Sequence, residues 1–249
     1  MKKLLLFMML CAAAAVPAAA HPIWDDFSTY ATKENVRSFT KDLGGLIGSG
    51  TYTTGRVLGW GGFQIGPRGT MLFKMSKDQN HTTQTALGER DKVGAVFYPW
   101  LQADIGMPFR LDGFIRASSY QGMTIAGGGM RWGITPPNEM LGSLQPMLVV
   151  SAHSASARDF SASHYNASLV ISMKFKYFVP YVGGGVDYTT LHINQADLAP
   201  WLEGSSKYAA TARATAGLNF KLPSYLDLSM AANYAHYGLG AEASVSVRF

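Results

Sequence analysis

A strict alternation of apolar and polar side chains, repeated in long segments, is the feature that most constrains this fold. In the stretch KYAATARATAGLNF, every second residue from Tyr208 to Phe220 is apolar, whereas Thr211, Arg213 and Asn219 lie between them. A period of two places these sets on opposite faces of a β-strand. The final segment, AEASVSVRF, alternates in the same way. The sequence therefore predicts strands with one apolar face and one charged face.

The alternating segments are longer than ordinary strands. The stretches YLDLSMAANY, HYNASLVISMKF and FRLDGFIRAS also alternate, and weaker versions run through Arg56–Ile65, Thr70–Ser76, Ala95–Met107, Met123–Ile134, Gln145–His153 and Val179–Leu191. Globular strands average five or six residues, whereas a tilted strand that crosses a bilayer needs about ten. A soluble β-sandwich is the alternative, but it would expose mid-strand charges and unpaired edges on many strands. We therefore predict an all-β fold, an antiparallel transmembrane β-barrel of about 10–12 strands.

The strand count has two solutions. About eleven candidates are visible, and a barrel chain with both ends on one side needs an even number. Either LIGSGTYTT is a first strand, which gives twelve, or two weak candidates are one element, which gives ten.

The connections and the aromatic residues also follow a barrel pattern. Tight turns are predicted at Gly66–Gly69, Met107–Pro108, Lys176–Val179 and Lys221–Ser224. Longer polar loops are predicted at Lys77–Lys92, Ser154–Ala162 and His192–Ser206. Thr135–Leu144 is predicted to be a long connection on the side of the short turns. Aromatic residues near strand ends predict two belts at the membrane interfaces. The short-turn belt would hold Phe109, Trp132, Phe175, Tyr177, Phe178, Tyr181, Phe220, Tyr225 and Phe249, and the other belt Tyr165, Tyr188, Tyr208, Tyr234 and Tyr237.

The amino terminus has the pattern of a secretory signal peptide. Lys2 and Lys3 precede a short apolar run and an Ala-rich end, which predicts export and cleavage after Ala20. Cys11 is the only cysteine and lies in this segment, so the mature chain is expected to contain neither a disulfide nor a thiolate metal site. The formal net charge of +5 falls to +3 without the two lysines. With no basic run, nucleic acid is not an expected partner.

Residues 21–50 differ from the rest of the chain. Val36, Phe39, Leu43 and Leu46 recur at helical spacing. Ser28 or Thr32 is a candidate cap and Gly44–Gly45 a candidate end of a short amphipathic helix. This segment is either a mobile periplasmic lead-in or a plug packed in the barrel mouth. The predicted organisation is a signal peptide at 1–20, the helical segment at 21–50 and the barrel at 51–249.

The signal peptide, the long alternating strands and a last strand that ends in Phe249 resemble the bacterial outer-membrane β-barrel class. The resemblance covers roughly residues 52–249 and implies a location in the outer membrane of a Gram-negative bacterium, among its lipids. In that class the terminal aromatic strand is the signal for the barrel-assembly machinery. The matching residues are Ala241, Ala243, Val245, Val247 and Phe249, of which Val245, Val247 and Phe249 are taken as the assembly signal.

A barrel with an apolar exterior would direct its charges into the lumen. The predicted lumen-lining residues are Arg56, Lys74, Asp104, Arg110, Asp112, Arg116, Arg131, Lys174, Asp187, Arg213, Asp227, Glu242 and Arg248. This mildly basic set favours a narrow, porin-like passive channel or a transport barrel for small polar or anionic solutes. The alternative is a non-transporting structural or surface-interaction barrel filled by ion pairs.

Catalysis is the weakest of the three hypotheses. His153 lies beside Ser154 and Ser156, and Asp159 follows, as a lipid-modifying enzyme at the outer rim would require. Because no orienting group is evident, no catalytic residue is assigned and the protein is not expected to be an enzyme. Neither a metal site nor a cofactor is expected from the His, Asp and Glu spacing.

Overall fold

The computed structural model describes residues 23–74, 77–78, 81–82, 87, 95–222, 225–235 and 238–249. Within them, ten antiparallel strands pair in chain order, and the first strand also pairs with the last, so that the sheet closes into a barrel. The predicted fold class is confirmed, with ten strands. They are β1 (Phe63–Lys74), β2 (Val96–Met107), β3 (Leu111–Tyr120), β4 (Met123–Gly133), β5 (Leu144–Ser156), β6 (Phe160–Met173), β7 (Phe178–Ile193), β8 (Ser206–Leu222), β9 (Leu226–Ala235) and β10 (Gly238–Arg248).

The barrel has two distinct rims. The C-terminal rim holds Phe63, Phe249 and the connections that follow β2, β4, β6 and β8. The loop rim holds the connections that follow β1, β3, β5, β7 and β9, and one of these contains the short ribbon Lys77–Asp78 with His81–Thr82. The predicted loop Lys77–Lys92 lies largely outside the described residues.

The first strand passes through a segment predicted to be a tight turn. Gly66–Gly69 lie within β1, so that prediction is wrong, and the two candidate segments on either side form one strand. The pairing with β10 stops at Ile65 and resumes at Arg68, so the N–H that Pro67 lacks is not needed there. A side chain at Gly66 would collide with the backbone of β10, which explains the glycine.

The loop-rim ends of β5 and β6 also extend further than predicted. The expected loop Ser154–Ala162 shrinks to residues 157–159, because Ser156 pairs with Ser161 in the ladder. The outward residues change from Val150 and Ala152 to serines at these ends. Polar strand ends of this kind project beyond the apolar band of a membrane barrel. The predicted long connections 135–144 and 192–206 are confirmed as the links after β4 and β7.

Two helices precede the barrel strands. Helix α1 is a single turn (Phe27–Tyr30) and α2 spans Val36–Gly48. Thr32 and Asn35 bond reciprocally, the Thr32 N–H donating to Oδ1 of Asn35 over 2.8 Å and the Asn35 N–H to the Thr32 hydroxyl over 3.4 Å. Thr32 thus takes part in a capping box at the start of α2. No helix in the described part of the chain is long and apolar enough to cross a bilayer.

The chain before β1 runs through the inside of the barrel. We call residues 23–62 the plug. Helix α2 packs against the inner faces of β6, β7 and β8. At the loop rim, the rings of Trp24, Phe27 and Phe39 surround Phe160, the first residue of β6. At the other end, the N–H of Gly106 donates to the carbonyl oxygen of Gly62 over 2.7 Å at the C-terminal rim. The plug therefore enters β1 after crossing the lumen from the loop rim.

The interior location of the plug corrects two expectations. The helix continues through Gly44 and Gly45 to Gly48, so the glycine pair does not end it. The stretch 51–62 is irregular plug rather than the start of a strand, which removes residues 56–62 from the predicted first strand.

The two faces of the wall differ as the alternation predicts. In β8, Thr211, Arg213 and Thr215 are buried and Ala212 and Ala214 are exposed. Of the predicted aromatic belts, the exposed outward members are Trp132, Phe175, Tyr177, Phe178 and Phe249 near one rim and Tyr165, Tyr188, Tyr208 and Tyr234 near the other, with Phe109 in a turn. Tyr181 was wrongly placed in a belt: its ring points inward and meets Tyr52 of the plug at 6.1 Å. Tyr237 lies outside the described residues.

Candidate functional site: the lumen and its plug

Four wall arginines hold the plug where α2 ends. Arg116 of β3 donates to the carbonyl oxygens of Ile47 and Ser49, the second over 2.6 Å. Arg68 of β1 donates to the carbonyl oxygen of Gly50 over 2.8 Å. All of these atoms are buried. The final carbonyls of a helix lack partners within the helix and carry partial negative charge. The guanidinium groups donate hydrogen bonds to these carbonyls and also place positive charge beside their partial negative charge.

The third and fourth arginines extend this pattern. Arg131 of β4 donates from Nε and Nη2 to the carbonyl oxygen of Thr51, over 3.0 and 2.7 Å. Arg213 of β8 donates to the Ser49 hydroxyl over 2.9 Å and to the carbonyl oxygen of Gly45 over 3.0 Å. Five carbonyl groups between residues 45 and 51 thus accept hydrogen bonds from the barrel wall.

One buried carboxylate links two of these arginines. Asp104 of β2 is 1% exposed, and its two oxygens lie 3.0 Å from Nη2 of Arg68 and 2.6 Å from Nη2 of Arg131. Gln102 donates a further hydrogen bond to Asp104 over 2.7 Å. A buried carboxylate is tolerated only when it is paired and hydrogen-bonded, and Asp104 satisfies both conditions.

A second carboxylate organises the opposite wall. Asp187 of β7 accepts from Nε and Nη2 of Arg213, over 2.9 and 2.7 Å, and from Asn166 over 2.6 Å. The ring of His164 lies 3.6 Å from Asp187 and bonds Thr189 over 3.0 Å. This network forms a rigid polar wall behind the last turn of α2.

The remaining interior acids also contact the plug or its partners. Asp112 accepts from the N–H of Leu58 over 2.8 Å. Glu242 accepts from Asn233 over 2.7 Å, and Asn233 donates to the Ser49 hydroxyl over 3.2 Å. Both carboxylates are buried.

Glycines allow the helix to lie close to the wall. A Cβ on Gly44 would collide with Thr189, and one on Gly48 would collide with Arg213 and His164. A Cβ on Gly45 would lie 3.5 Å from that of Ala235, an ordinary contact. The spacing of Gly44 and Gly48 therefore sets how near α2 approaches β6–β8.

A second cluster of charges lies at the C-terminal mouth of the lumen. Arg56 of the plug and Lys174, just after β6, both contact the carboxylate of Glu139 in the connection after β4. Arg248 pairs with Asp227 over 2.8 Å on neighbouring strands. Burial, followed by the charge of Arg248, lowers the pKa of Arg56, so these cations lie close together.

The structure distributes the thirteen predicted lumen residues over several locations. Nine lie on the inner face of the wall: Asp104, Asp112, Arg116, Arg131, Asp187, Arg213, Asp227, Glu242 and Arg248. Arg56 belongs to the plug and Lys174 to the C-terminal mouth. Lys74 ends β1, and its side chain lies outside the described part of the chain.

Arg110, the remaining member of this set, lies in a turn at the C-terminal rim. It follows Phe109 in the turn Pro108–Arg110, where both residues have positive φ, and it bonds the carbonyl oxygen of Ile134 over 2.9 Å. Pro108 ends the ladder of β2, and the alternation restarts at Leu111. Arg110 therefore belongs to this turn rather than to a strand that lines the lumen.

Two residues that bond to the predicted lumen residues were missed, one inside the barrel and one in a loop. Arg68 lies in the GPRG segment, which reads as a turn, yet it is 5% exposed and bonded to both Asp104 and the plug. Arg68 lies an even number of residues from Gln64 and Thr70, which are both buried, and this period of two could have identified it as an inward-facing residue. Glu139 lies in a loop, where no periodicity indicates its direction.

The candidate catalytic residues do not come together. His153 faces the interior and is 4% exposed, whereas Ser154 and Ser156 face outward on the same strand. Asp159 accepts a hydrogen bond from the N–H of Ser28 over 3.2 Å. Among the described residues, no group of three His, Cys, Asp or Glu side chains could hold a metal ion.

The predicted assembly residues lie on the outward face of β10. Phe249 is 57% exposed, and its backbone bonds that of Phe63 at the C-terminal rim. Val245 is partly exposed, whereas Val247 is covered between its cross-strand neighbours Ile65 and Leu226.

No family model and no curated protein matches this sequence. Among solved structures, Ail, the attachment invasion locus protein of Yersinia pestis, is 11% identical with a TM-score of 0.35, over 76% of this chain and 99% of that one. The outer membrane protein OprG from Pseudomonas aeruginosa is 13% identical with a TM-score of 0.39, over 79% and 99%. LpxR from Salmonella typhimurium is 9% identical with a TM-score of 0.36, over 61% and 72%. At these identities, the likeness is one of barrel fold.

The architecture is that of a bacterial outer-membrane β-barrel. The apolar exterior, the exposed aromatic residues near both rims and the enclosed charges match a bilayer environment, so outer-membrane lipids surround the wall. Such barrels have short periplasmic turns and longer extracellular loops. The two longest connections, after β1 and β7, lie at the loop rim, so we expect this rim to face the outside and the C-terminal rim to face the periplasm.

Proposed function

We propose that this protein is a closed outer-membrane barrel with a structural or surface-interaction role, and that no solute passes while the plug is in place. The observation that supports this most strongly is the set of bonds from Arg68, Arg116, Arg131 and Arg213 to the plug backbone. Buried charged donors bonded in this way are costly to separate. The plug is thus a built-in part of the fold.

One cavity between the plug and the wall is too small for transport. It is lined by Gly50, Arg68, Tyr181 and Glu242 and has a volume of about 10 Å³. That is roughly the room that one water molecule requires. Passage of a larger solute through this cavity would require the plug to move.

The loop rim supplies the surface for an interaction. Leu198 and Trp201, in the connection after β7, are 61% and 73% exposed. The N–H of Asp197 in the same connection donates to the carbonyl oxygen of Ser28 over 2.7 Å, so the plug holds this loop in place. Exposed aromatic and aliphatic residues on an ordered loop are typical of contact surfaces.

A narrow channel for small polar or anionic solutes is the second candidate. Below Gly48, the plug contacts the wall through polar groups, such as the Thr51 carbonyl and Arg56, as well as through a small apolar cluster that includes Tyr52 and Val57. Polar contacts can be exchanged for water, so a displaced plug would leave a lumen lined by arginines. Such a lumen would favour anions.

An engineered disulfide separates the two candidates. Gly45 and Ala235 are suited to it because their Cβ atoms would lie 3.5 Å apart, and the mature chain is expected to contain no other cysteine. The double variant Gly45→Cys/Ala235→Cys is studied in planar bilayers, oxidised and then reduced, with each single variant as control. We expect silence in both states. Reproducible conductance steps that appear on reduction and vanish on oxidation would establish a channel with a mobile plug instead.

We also propose that the protein is not an enzyme and that the outward face of β10 is read by the barrel-assembly machinery. The separation of His153 from the serines supports the proposal that the protein is not an enzyme, and unchanged lipid mass spectra on overexpression would be its test.

The exposed ring of Phe249 supports the proposal that the assembly machinery reads β10. Phe249→Ala should reduce the amount of folded barrel in the outer membrane, whereas Phe109→Ala, at an even more exposed turn position, should not.

A further inference from the structure

The C-terminal mouth carries more positive than negative groups. Its cations are Arg56, Lys174, Lys221 and Arg248, which come from the plug, the end of β6, β8 and β10. The carboxylates that pair with them are Glu139 and Asp227. The C-terminal carboxylate of Phe249 follows Arg248 at the same rim, so four cations face at most three carboxylates and the cluster keeps an excess of positive charge.

Two donors in this cluster lack acceptors. Lys221 lies opposite Asp227 in the β8–β9 ladder and within electrostatic range of Arg56, Lys174 and Arg248. Among the described residues, no carboxylate comes within ion-pair distance of its ammonium group. The Nε–H of Arg248 is buried without a hydrogen-bond partner. Unsatisfied charged donors that converge on one opening are suited to an anionic ligand.

Glu139 shows how such a ligand would be held. Its two carboxylate oxygens contact Arg56 and Lys174 separately, so one oxyanion bridges the plug and the wall. The Glu139 side chain is 66% exposed and belongs to a loop whose Met140 and Leu141 are also exposed. An exposed loop carboxylate can be displaced by an anion of higher charge, because surface ion pairs contribute little free energy.

We propose that the C-terminal mouth binds a phosphate group, which takes the place of the Glu139 carboxylate between Arg56 and Lys174. Lys221 and Arg248 lie within electrostatic range of Arg56 and supply the additional charge. A phosphate monoester or inorganic phosphate carries close to two negative charges at neutral pH and has three acceptor oxygens. Arginine forks match phosphate geometry, and an anion offsets the positive excess of the cluster. The site is independent of whether solutes cross the lumen.

Calorimetric titration of inorganic phosphate into the full-length protein in a maltoside detergent tests the site. We expect saturable binding that weakens as chloride rises. Lys221→Met should weaken it about tenfold, since a charged donor contributes about that much, whereas Lys221→Arg should retain it. Glu139→Gln should tighten it, because the internal competitor loses its charge. Lys176→Gln is the matched control, since Lys176 belongs to the same connection as Lys174 but its ammonium group lies over the ring of Tyr177.

The phosphate could be free or part of a phospholipid headgroup, and a second measurement distinguishes these sources. Native mass spectrometry of the purified barrel detects retained phospholipid. Saturable binding of inorganic phosphate identifies a soluble ligand, whereas phospholipid retained by the wild type and lost from Lys221→Met identifies a headgroup. The proposal is overturned if neither is found, or if Lys176→Gln reduces binding as much as Lys221→Met does.

Discussion

Nη1 of Arg116 donates a 2.6 Å hydrogen bond to the carbonyl oxygen of Ser49. The guanidinium also bonds the carbonyl oxygen of Ile47 and stacks 4.6 Å over the ring of Trp100. Arg116 is 3% exposed, and among the described residues no carboxylate lies within ion-pair distance of it. The end of the plug helix therefore provides the main compensation for this buried charge. The buried charge of Arg116 in the barrel wall and the helix-end carbonyls of the plug thus stabilise each other.

Arg116→Met should loosen the plug. The substitution leaves the carbonyl groups of Ile47 and Ser49 without their donor, at a cost of about 1–3 kcal/mol for each buried unsatisfied group. We expect a lower urea midpoint for unfolding in detergent. Arg158→Met is the control, because the Arg158 side chain is 72% exposed. Equal midpoints for the two variants would argue against the plug contact.

Gly44→Ala and Gly45→Ala should have opposite effects although the residues are adjacent in α2. Alanine favours a helix over glycine by up to about 1 kcal/mol, so Gly45→Ala, which gains only a 3.5 Å contact with Ala235, should be neutral or stabilising. Gly44→Ala collides with Thr189, and overpacking costs about 1–3 kcal/mol. Thermal unfolding followed by circular dichroism measures both. A stabilised Gly44→Ala would mean that α2 does not touch β7.

Asp104→Asn should be strongly destabilising. The carboxylate pairs with both Arg68 and Arg131 inside the wall, and removing one partner of a buried ion pair costs about 3–5 kcal/mol. Refolding yield and urea unfolding are the measurements. Asp197→Asn serves as the control: that carboxylate lies in the connection after β7 and accepts from the Gln195 amide over 3.0 Å, a bond that lowers its pKa. We expect the control to match the wild type.

The direction of the plug can be tested in intact cells. Glu34 lies just before α2 at the loop rim and is exposed, whereas Met140 is 72% exposed at the C-terminal rim. A membrane-impermeant maleimide should label Glu34→Cys in intact cells and Met140→Cys only after the outer membrane is permeabilised. The reverse pattern would place the rims on the wrong sides of the membrane.

The sequence alone was sufficient to predict which strand residues of the barrel wall face inward and which face outward. The period of two in β8 and β10 fixed which side chains face lipid and which face the lumen, because neighbouring residues of a strand point to opposite sides. That reasoning succeeded for Arg116, Arg131 and Arg213. It failed at Arg110 and Arg68, where proline and glycine did not reveal whether the chain turns or continues.

What only the tertiary structure decided is what fills the barrel. The helical period of α2 predicted an amphipathic helix, but an apolar helix face indicates burial and does not identify the surface that buries it. The plug location depends on contacts between residues far apart in sequence, such as Gly50 with Arg68 and Gly44 with Thr189. Local periodicity records the direction of each side chain, whereas the partner that it meets is set by closure of the sheet around the chain.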